Sequence, residues 1–394
     1  MFPAVICRLI AEYTTSYEIN ILDWIDTSKL DWKILSDNRN AINLLMSNLD
    51  KINWSILSGN TNDRAISLLK ENQDKIDWSV LSSNTNINAI ELLKVHLDKI
   101  YWYFLSFNPN TQALALLKAH RSKTNWRALS GNPNDRAISL LNANIEKIDW
   151  SVLSSNTNIN AIELLKAHLD KIYWYFLSFN PNPQALALLK AHRSKTNWRA
   201  LSGNTNANAI SLLKRNQDKI DWTQLSGNPS AIPLLKANPD KIDWWFLSYF
   251  NINAIELLKA NQDRIDWYWL SNNHSDGAVE LLIENQDKIN WSALSGNSND
   301  NAIKLLMENQ DKIDWDWLSC NPNINAIILL TANQDKINWF NLSKNPSAIL
   351  LLTANQDKID WANLSINPNI FANDITKYNN DINNLQSVLY SNVL

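Results

Sequence analysis

The sequence predicts an all-α fold: a right-handed α-solenoid of about fifteen units of 22–24 residues, with capping helices at both ends. Two observations carry this prediction. A Trp recurs every 22–24 residues from Trp32 to Trp361, and each Trp opens the same pattern, W-x-x-L-S-x-N-x-N-x-x-A-I-x-L-L-K-x-N-x-D-K-I-D. The chain also contains 19 Trp against 6 Gly, and a Trp fixed in every unit explains that balance.

The first element of each unit is predicted to be a short helix that begins at the Trp, which we number position 1. Asp or Asn precedes the Trp in thirteen of fifteen copies, and these residues cap helix N-termini. Trp and Leu three residues apart share a helix face, as in Trp78 and Leu81, so both are expected to point into the core.

The second element is predicted to be a longer helix after a polar loop, S-x-N-P-N or S-x-N-T-N. Ala, Ile, Leu and Leu at positions 12, 13, 15 and 16 cover a broad arc, which is typical of a helix that is contacted from several sides. Whether it is accompanied by an α-helix or a 3-10 helix is left open by the pattern. The Ser at position 5 and the Asn at position 7, for example Asn60, are expected to form ladders that satisfy loop backbone groups.

Position 19 is Asn or His, and both residue types tolerate the left-handed conformation that ends many helices. We interpret His96, His120, His168 and His192 in this way. A metal ladder is the alternative, but adjacent units would place the ligands about 8–10 Å apart, too far for one ion. We therefore predict no metal, no cofactor and no catalytic site.

The chain is expected to divide into three parts: an N-terminal cap and half-unit (1–31), the solenoid (32–371) and a C-terminal capping helix (372–394). Residues 78–149 and 150–221 are near-copies that differ at nine of 72 positions. An array that accepts a duplicated block is expected to be open-ended and elongated.

Composition argues against several classes of function. Lys plus Arg (36) nearly cancels Asp plus Glu (39), so no global field attracts nucleic acid. No segment is apolar enough to span a membrane, and the N-terminus is a poor match to a signal peptide. Cys7 and Cys320 are too far apart in the predicted array to form a bridge, which suits a reducing compartment. A soluble, cytoplasmic protein is expected.

The repeated unit resembles the tandem repeats of uncharacterised proteins of giant DNA viruses of amoebae and algae, over residues 19–371. This resemblance implies a place in the host cytosol or the virion and no particular activity. The L-S-x-N-P-x-x-x-x-x-L-L spacing is more remotely similar to leucine-rich variant repeats, which pair an α-helix with a 3-10 helix. Phe2-Pro3 and the apolar residues that follow are similar to the start of an F-box.

Positions that the architecture leaves free are the candidates for a binding surface. Position 2 is usually polar, yet it is aromatic in five units, and these residues are predicted to face outward and bind a partner: Tyr103, Tyr175, Trp245, Tyr268 and Phe340. Aromatic residues at positions 3 and 6, such as Phe104 and Phe107, are expected to thicken the core. A basic run, His120, Arg121, Lys123 and Arg127, repeats at His192, Arg193, Lys195 and Arg199. It is expected to be a solvated face, with contact to an acidic partner as the alternative.

The leading hypothesis is a non-enzymatic scaffold for protein partners of unknown identity. The alternatives are a structural component of a virion or viral assembly and an F-box-like substrate adaptor.

Overall fold

The computed structural model describes residues 19–250 and 253–373, apart from the side chains of Phe250 and Asn373. Within these ranges the chain forms fifteen short α-helices that each begin at the repeated Trp. A second α-helix follows fourteen of them, and a 3-10 turn closes nearly every unit. The predicted all-α repeat solenoid is therefore confirmed, and a unit consists of two α-helices and a 3-10 turn.

The elements have the following bounds. The helices that start at the repeated Trp, called Trp helices below, are Trp32–Asp37, Trp54–Leu57, Trp78–Ser83, Trp102–Phe107, Trp126–Ser130, Trp150–Ser155, Trp174–Phe179, Trp198–Ser202, Trp222–Ser226, Trp244–Phe250, Trp267–Ser271, Trp291–Ser295, Trp315–Cys320, Trp339–Ser343 and Trp361–Leu364. The second helices are Ile42–Met46, Asp63–Glu71, Ile87–Lys94, Thr111–Ala119, Asp135–Asn142, Ile159–Ala167, Pro183–Ala191, Ala207–Leu213, Ile232–Lys236, Ile255–Lys259, Asp276–Glu284, Asp300–Glu308, Ile324–Ala332 and Ile349–Thr353.

The 3-10 turns occupy two places. Those that close a unit are Thr27–Lys29, Leu49–Lys51, Gln73–Lys75, Arg121–Lys123, Ile145–Lys147, Leu169–Lys171, Arg193–Lys195, Gln217–Lys219, Pro239–Lys241, Gln262–Arg264, Gln286–Lys288, Gln310–Lys312, Gln334–Lys336 and Gln356–Lys358. Those that follow a Trp helix are Arg39–Ala41, Pro229–Ala231, Pro346–Ala348 and Pro368–Ile370.

Each Trp helix is held at both ends by side chains. In the unit of Trp78, the carboxylate of Asp77 accepts the backbone N–H groups of Ser79 and Val80 at 3.1 and 3.2 Å. At the other end the hydroxyl of Ser82 donates to the carbonyl of Trp78 at 2.7 Å. Such caps let a helix of six residues form, which its own backbone bonds could not stabilise.

The second helices bury the apolar arc that the pattern predicted, with the position-12 Ala fully inaccessible. Their ends differ from expectation. Asn72 and His120, at position 19, have φ of −124° and −121°, and no residue of the described ranges has a positive φ. A left-handed residue is not needed because the side chain ends the helix: the amide of Asn72 donates to the carbonyl of Leu68 at 2.9 Å.

The expected ladders run from unit to unit through the buried Asn at position 7. The amide of Asn132 donates to the carbonyls of Ser106 and Asn108 in the preceding unit, at 3.1 and 3.0 Å. Its oxygen accepts the N–H of Asn134 in its own turn at 3.1 Å. One side chain therefore fixes the loop and joins two units.

The Trp side chains lie at the edge of the core rather than inside it, which corrects the prediction. The position-4 Leu is fully buried, whereas all fifteen Trp are half-buried against the core cluster. A cation from the same unit covers many of the rings; the ammonium of Lys75, for example, lies 4.7 Å from the ring centre of Trp54. Indole tolerates this half-wet position because its polar N–H and its π face can both meet polar groups.

The two ends of the repeat array meet. Strand β1 (Ile19–Ile21) pairs antiparallel with strand β2 (Phe371–Asn373), with Asn20 opposite Ala372. The backbone N–H of Leu22 continues the pairing to the carbonyl of Ile370 at 2.9 Å.

Residues 19–31 complete the unit that begins at Trp361. The ammonium of Lys29 lies 5.0 Å from the Trp361 ring centre, as Lys51 lies 4.6 Å from that of Trp32. The N–H of Asp31 donates to Ser365 Oγ at 2.8 Å, a bond that every complete unit makes within itself. The fifteenth unit is thus assembled from both ends of the array, with the paired strands in place of its second helix.

The solenoid is therefore a closed ring, and the expectation of an open, elongated array was wrong. A closed ring of twelve units turns by about 30° per unit, and a closed ring of fifteen turns by about 24°. Three additional units therefore require only a small change of angle at each joint. Duplication is consequently compatible with closure. Closure also buries the faces that caps would cover. The helix predicted near the N-terminus and the F-box-like start lie outside the described residues. So does the capping helix predicted for 372–394, except that Ala372 and Asn373 belong to strand β2 instead.

The Trp helices form the inner layer of the ring. At most joints of the described ranges, consecutive Trp helices are in closer contact than consecutive second helices are. In a closed ring, the layer with the shorter spacing lies nearer the axis. At about 8–10 Å between neighbouring helix axes, fifteen Trp helices enclose an opening of roughly 25–35 Å.

A cysteine pair across the strands tests the closure. In a background with Cys7 and Cys320 replaced by Ser, Asn20→Cys with Ala372→Cys should form a disulfide on mild oxidation, because the Cα atoms of directly opposed residues lie about 4.5–5.5 Å apart, within the range that a disulfide spans. The readout is gel mobility and intact mass. Asn20→Cys with Phe371→Cys is the control, since neighbouring strand residues point to opposite faces. A pair that stays reduced, in a protein with the scattering curve of a rod, contradicts the ring.

Substitution of the ladder residue Asn132 tests the joint between units. Asn132→Ala should lower the free energy of unfolding by about 1–3 kcal/mol, because two buried carbonyls lose their donor. The exposed Asn142→Ala is the matched control, with an expected change within about 0.5 kcal/mol. Urea denaturation followed by Trp fluorescence measures both, and equal midpoints would refute the proposed role of the ladder.

Candidate functional site

The five aromatic residues predicted at position 2 all lie on the surface. Their exposed fractions range from 40% for Trp245 to 57% for Phe340. At roughly 100° per residue, positions 2 and 6 of a Trp helix point about 160° away from the position-4 Leu, which faces the core. Positions 2 and 6 therefore face the opening of the ring. We call the surface formed by positions 2, 3 and 6 of the Trp helices the inner stripe.

The expectation that aromatic residues at positions 3 and 6 thicken the core was wrong for most of them. Phe104, Phe107 and Trp317 are 40%, 46% and 56% exposed, and the duplicates Phe176 and Phe179 are similar. The core cluster consists mainly of Leu, Ala and Ile from both helix layers and does not include these rings. The inner stripe consequently presents more aromatic surface than position 2 alone.

Two of the aromatic groups are copies of each other. The ring of Tyr103 meets those of Phe104 and Phe107 edge to face, with centroids 5.4 and 5.3 Å apart. Tyr175, Phe176 and Phe179 repeat this arrangement with both centroid distances at 5.4 Å. We call these groups cluster A and cluster B. Edge-to-face contacts hold the rings in defined positions before any ligand arrives.

A third group spans two adjacent units. The ring of Trp269 lies 4.4 Å from Tyr249 and 5.3 Å from Trp245, both in the preceding unit. Tyr268 adds an edge-to-face contact to Trp269 at 5.0 Å. Positions 3 and 6 of consecutive units are therefore neighbours, so the inner stripe is continuous from unit to unit.

The units that carry clusters A and B depart from the capping rule. Tyr101 and Tyr173 replace the Asp or Asn cap, make no side-chain cap bond and are each 54% exposed. A missing cap costs about 1 kcal/mol. Tyr101 and Tyr173 were not among the predicted site residues, although the replacement of a cap by an aromatic residue can be read from the repeat pattern alone.

An arginine lies next to each of these clusters on the inner stripe. Arg127 pairs with Asp149 at 3.5 Å, and Arg199 pairs with Asp221 at 3.1 Å. The arginine side chains nevertheless remain 74% and 80% exposed. Partial burial of the Asp149 carboxylate opposes its ionisation, but hydrogen bonds from Ser151 and Val152 and the charge of Arg127 outweigh this and lower its pKa.

The histidines of the basic runs are structural. The ring of His120 contacts that of Trp102 in a tilted arrangement, with the ring centres 5.4 Å apart. His96, His168 and His192 contact the Trp of their own unit in the same way. Arg121 and Lys123 are exposed, as expected of a solvated face.

Two absences hold for residues 19–250 and 253–373. No group of three or more His, Cys, Asp or Glu side chains there could hold a metal ion. No helix there is both long and apolar enough to cross a membrane.

Comparison with known proteins adds no assignment. No protein family, curated protein or solved structure matches the chain.

Acid titration tests the electrostatics beside cluster A. Because the pKa of Asp149 is lowered on folding, its stabilising effect is fully present above the unfolded value near 3.8 and is lost as pH falls through the folded pKa. Asp149→Asn keeps the cap and removes the charge. We expect it to lower stability by about 0.5–1 kcal/mol at pH 7.

The difference between wild type and Asp149→Asn should shrink as the pH falls below the unfolded pKa near 3.8. Urea midpoints at pH 7, 5 and 3 measure it, with the exposed Asp74→Asn as a control for simple loss of a negative charge. A difference that is constant over this pH range would contradict the prediction.

Proposed function

We propose that this chain is a ring-shaped, non-enzymatic scaffold that binds a polypeptide segment of another protein along its inner stripe. One observation carries the proposal: exposed aromatic side chains recur at equivalent helix positions of separate units, on a frame whose other positions are dictated by packing. Positions that the architecture does not constrain are the ones where a binding function is placed.

The physical basis is the low entropic cost of aromatic contacts. Phe, Tyr and Trp have only two side-chain torsions to immobilise and offer a large apolar area, so they dominate the energetics of protein interfaces. In clusters A and B the rings already contact one another, which reduces the ordering that a partner must impose. Closure of the ring fixes the relative positions of the clusters.

Charge favours a polypeptide over a nucleic acid. At positions 2 and 6 the inner stripe carries four cations, Lys33, Arg127, Arg199 and Lys344, and two carboxylates, Asp37 and Asp316. A nucleic acid requires a run of cations along its phosphates. The opening, at roughly 25–35 Å, is also wider than a single helix of about 10–12 Å. The partner is therefore a segment that follows the wall.

A five-residue variant tests the proposal. This variant should reduce the recovery of partner proteins at least tenfold, because the apolar contacts are removed. Its substitutions are Tyr103→Ser, Tyr175→Ser, Trp245→Ser, Tyr268→Ser and Phe340→Ser. The readout is quantitative mass spectrometry after pull-down. The resemblance to giant-virus proteins directs the pull-down to the cytosol of infected cells and to purified virions.

A matched control removes the same number of exposed apolar side chains from the second helices: Ile87→Ser, Ile159→Ser, Ile324→Ser, Ile328→Ser and Leu350→Ser. This control should recover the same partners as wild type. The proposal fails if wild type recovers no specific protein, or if both variants recover the same proteins as wild type.

A further inference from the structure

Clusters A and B lie in the duplicated blocks, 78–149 and 150–221. Of the nine positions at which the blocks differ, none belongs to the clusters, to the uncapped Tyr101 and Tyr173, or to Arg127 and Arg199. The aromatic side chains of clusters A and B also have the same arrangement in both copies. The chain therefore presents one aromatic site twice, three units apart.

We propose that clusters A and B act together as a bivalent site for a single extended polypeptide that carries two copies of one motif, an apolar residue flanked by acidic residues. This inference rests on the proposed function and specifies the partner that it requires.

The surface between the clusters can accommodate an extended chain. At positions 2 and 6 the two intervening units carry Gly131, Ser151 and Ser155, together with Arg127. A methyl group at Gly131 would lie 3.2 Å from Val152 Cγ1 and 3.7 Å from Phe107 Cε1, so the surface is tightly packed at this point. Arg127 is the one long side chain at these positions, and a bound peptide would run beside it.

The separation of the clusters sets the spacing of the motifs. Three units correspond to about 24–30 Å along the ring, at one helix packing distance per unit. An extended chain advances about 3.3 Å per residue. The two apolar anchors of the partner are therefore expected about seven to nine residues apart.

The acidic flanks follow from charge. The residues from Trp102 to Asn125 and from Trp174 to Asn197 include no Asp or Glu, and each of these units carries two Lys and one Arg. Arg127 and Arg199 bring positive charge to the inner stripe itself, and each remains largely exposed although it is paired with Asp149 or Asp221. Carboxylates beside the apolar anchor would meet these guanidinium groups in bidentate geometry.

Selection from a phage library of random 20-residue peptides tests the inference. Selection is performed on wild type and on a variant without both clusters (Tyr103→Ser, Phe107→Ser, Tyr175→Ser, Phe179→Ser). Peptides enriched on wild type alone should contain two acidic-flanked apolar residues seven to nine positions apart. Their affinities are then measured by fluorescence anisotropy on variants that lack only cluster A or only cluster B.

Either single-cluster variant should weaken binding by a similar factor, at least 100-fold, because the avidity of two linked contacts is lost. Ile87→Ser with Ile159→Ser, on the second helices, should bind like wild type. Peptides with a single motif, or peptides that tolerate loss of one cluster, overturn the bivalent site and leave the scaffold in place. Equal selection on wild type and the four-serine variant also overturns it, and the pull-down decides the scaffold independently.

Discussion

The structure depends on one buried side chain, the Asn at position 7. A single amide such as that of Asn132 accepts a bond from its own turn and donates two to the carbonyls of the preceding unit. An amide is suited to this because it offers both donors and an acceptor in one plane. The same bonds recur at most joints between described units, so each unit is held at nearly the same angle to its neighbour. A constant small angle, repeated fifteen times, returns the array to its starting point.

Closure reuses the contacts of an ordinary unit. The bond from Asp31 to Ser365 and the stacking of Lys29 on Trp361 join residues more than 300 positions apart, yet both are contacts that other units make locally. Only the second helix is replaced. Two short strands take its place, one from each end of the array. An open solenoid must cover two apolar end faces with caps. In the ring each of these faces is buried by the other.

The architecture separates the positions that stabilise the fold from the positions that are free to vary. Leu, Ala, Ser and Asn at fixed positions build the layers and the ladder, and they are buried in nearly every unit. Positions 2, 3 and 6 vary between units, and in several units they carry aromatic rings that are exposed to solvent. The units that carry clusters A and B lack a stabilising helix cap, because Tyr101 and Tyr173 occupy the cap position. Both Tyr residues come from one duplicated block, so they represent a single departure from the capping rule. Such departures are expected at functional sites, which supports the proposed binding role.

The sequence by itself determined the unit: its length, its caps at Asp77 and equivalent residues, the buried arc of its second helix and the outward direction of Tyr103. These follow from local periodicity and from hydrogen bonding within a few residues. Tertiary structure alone decided that the array closes, that Phe107 and Trp317 remain exposed, and that the Trp rings lie at the edge of the core. Curvature is the sum of small rotations at fifteen joints, and no single unit encodes that sum. Exposure depends on how much space neighbouring layers leave, which the identity of a residue does not reveal.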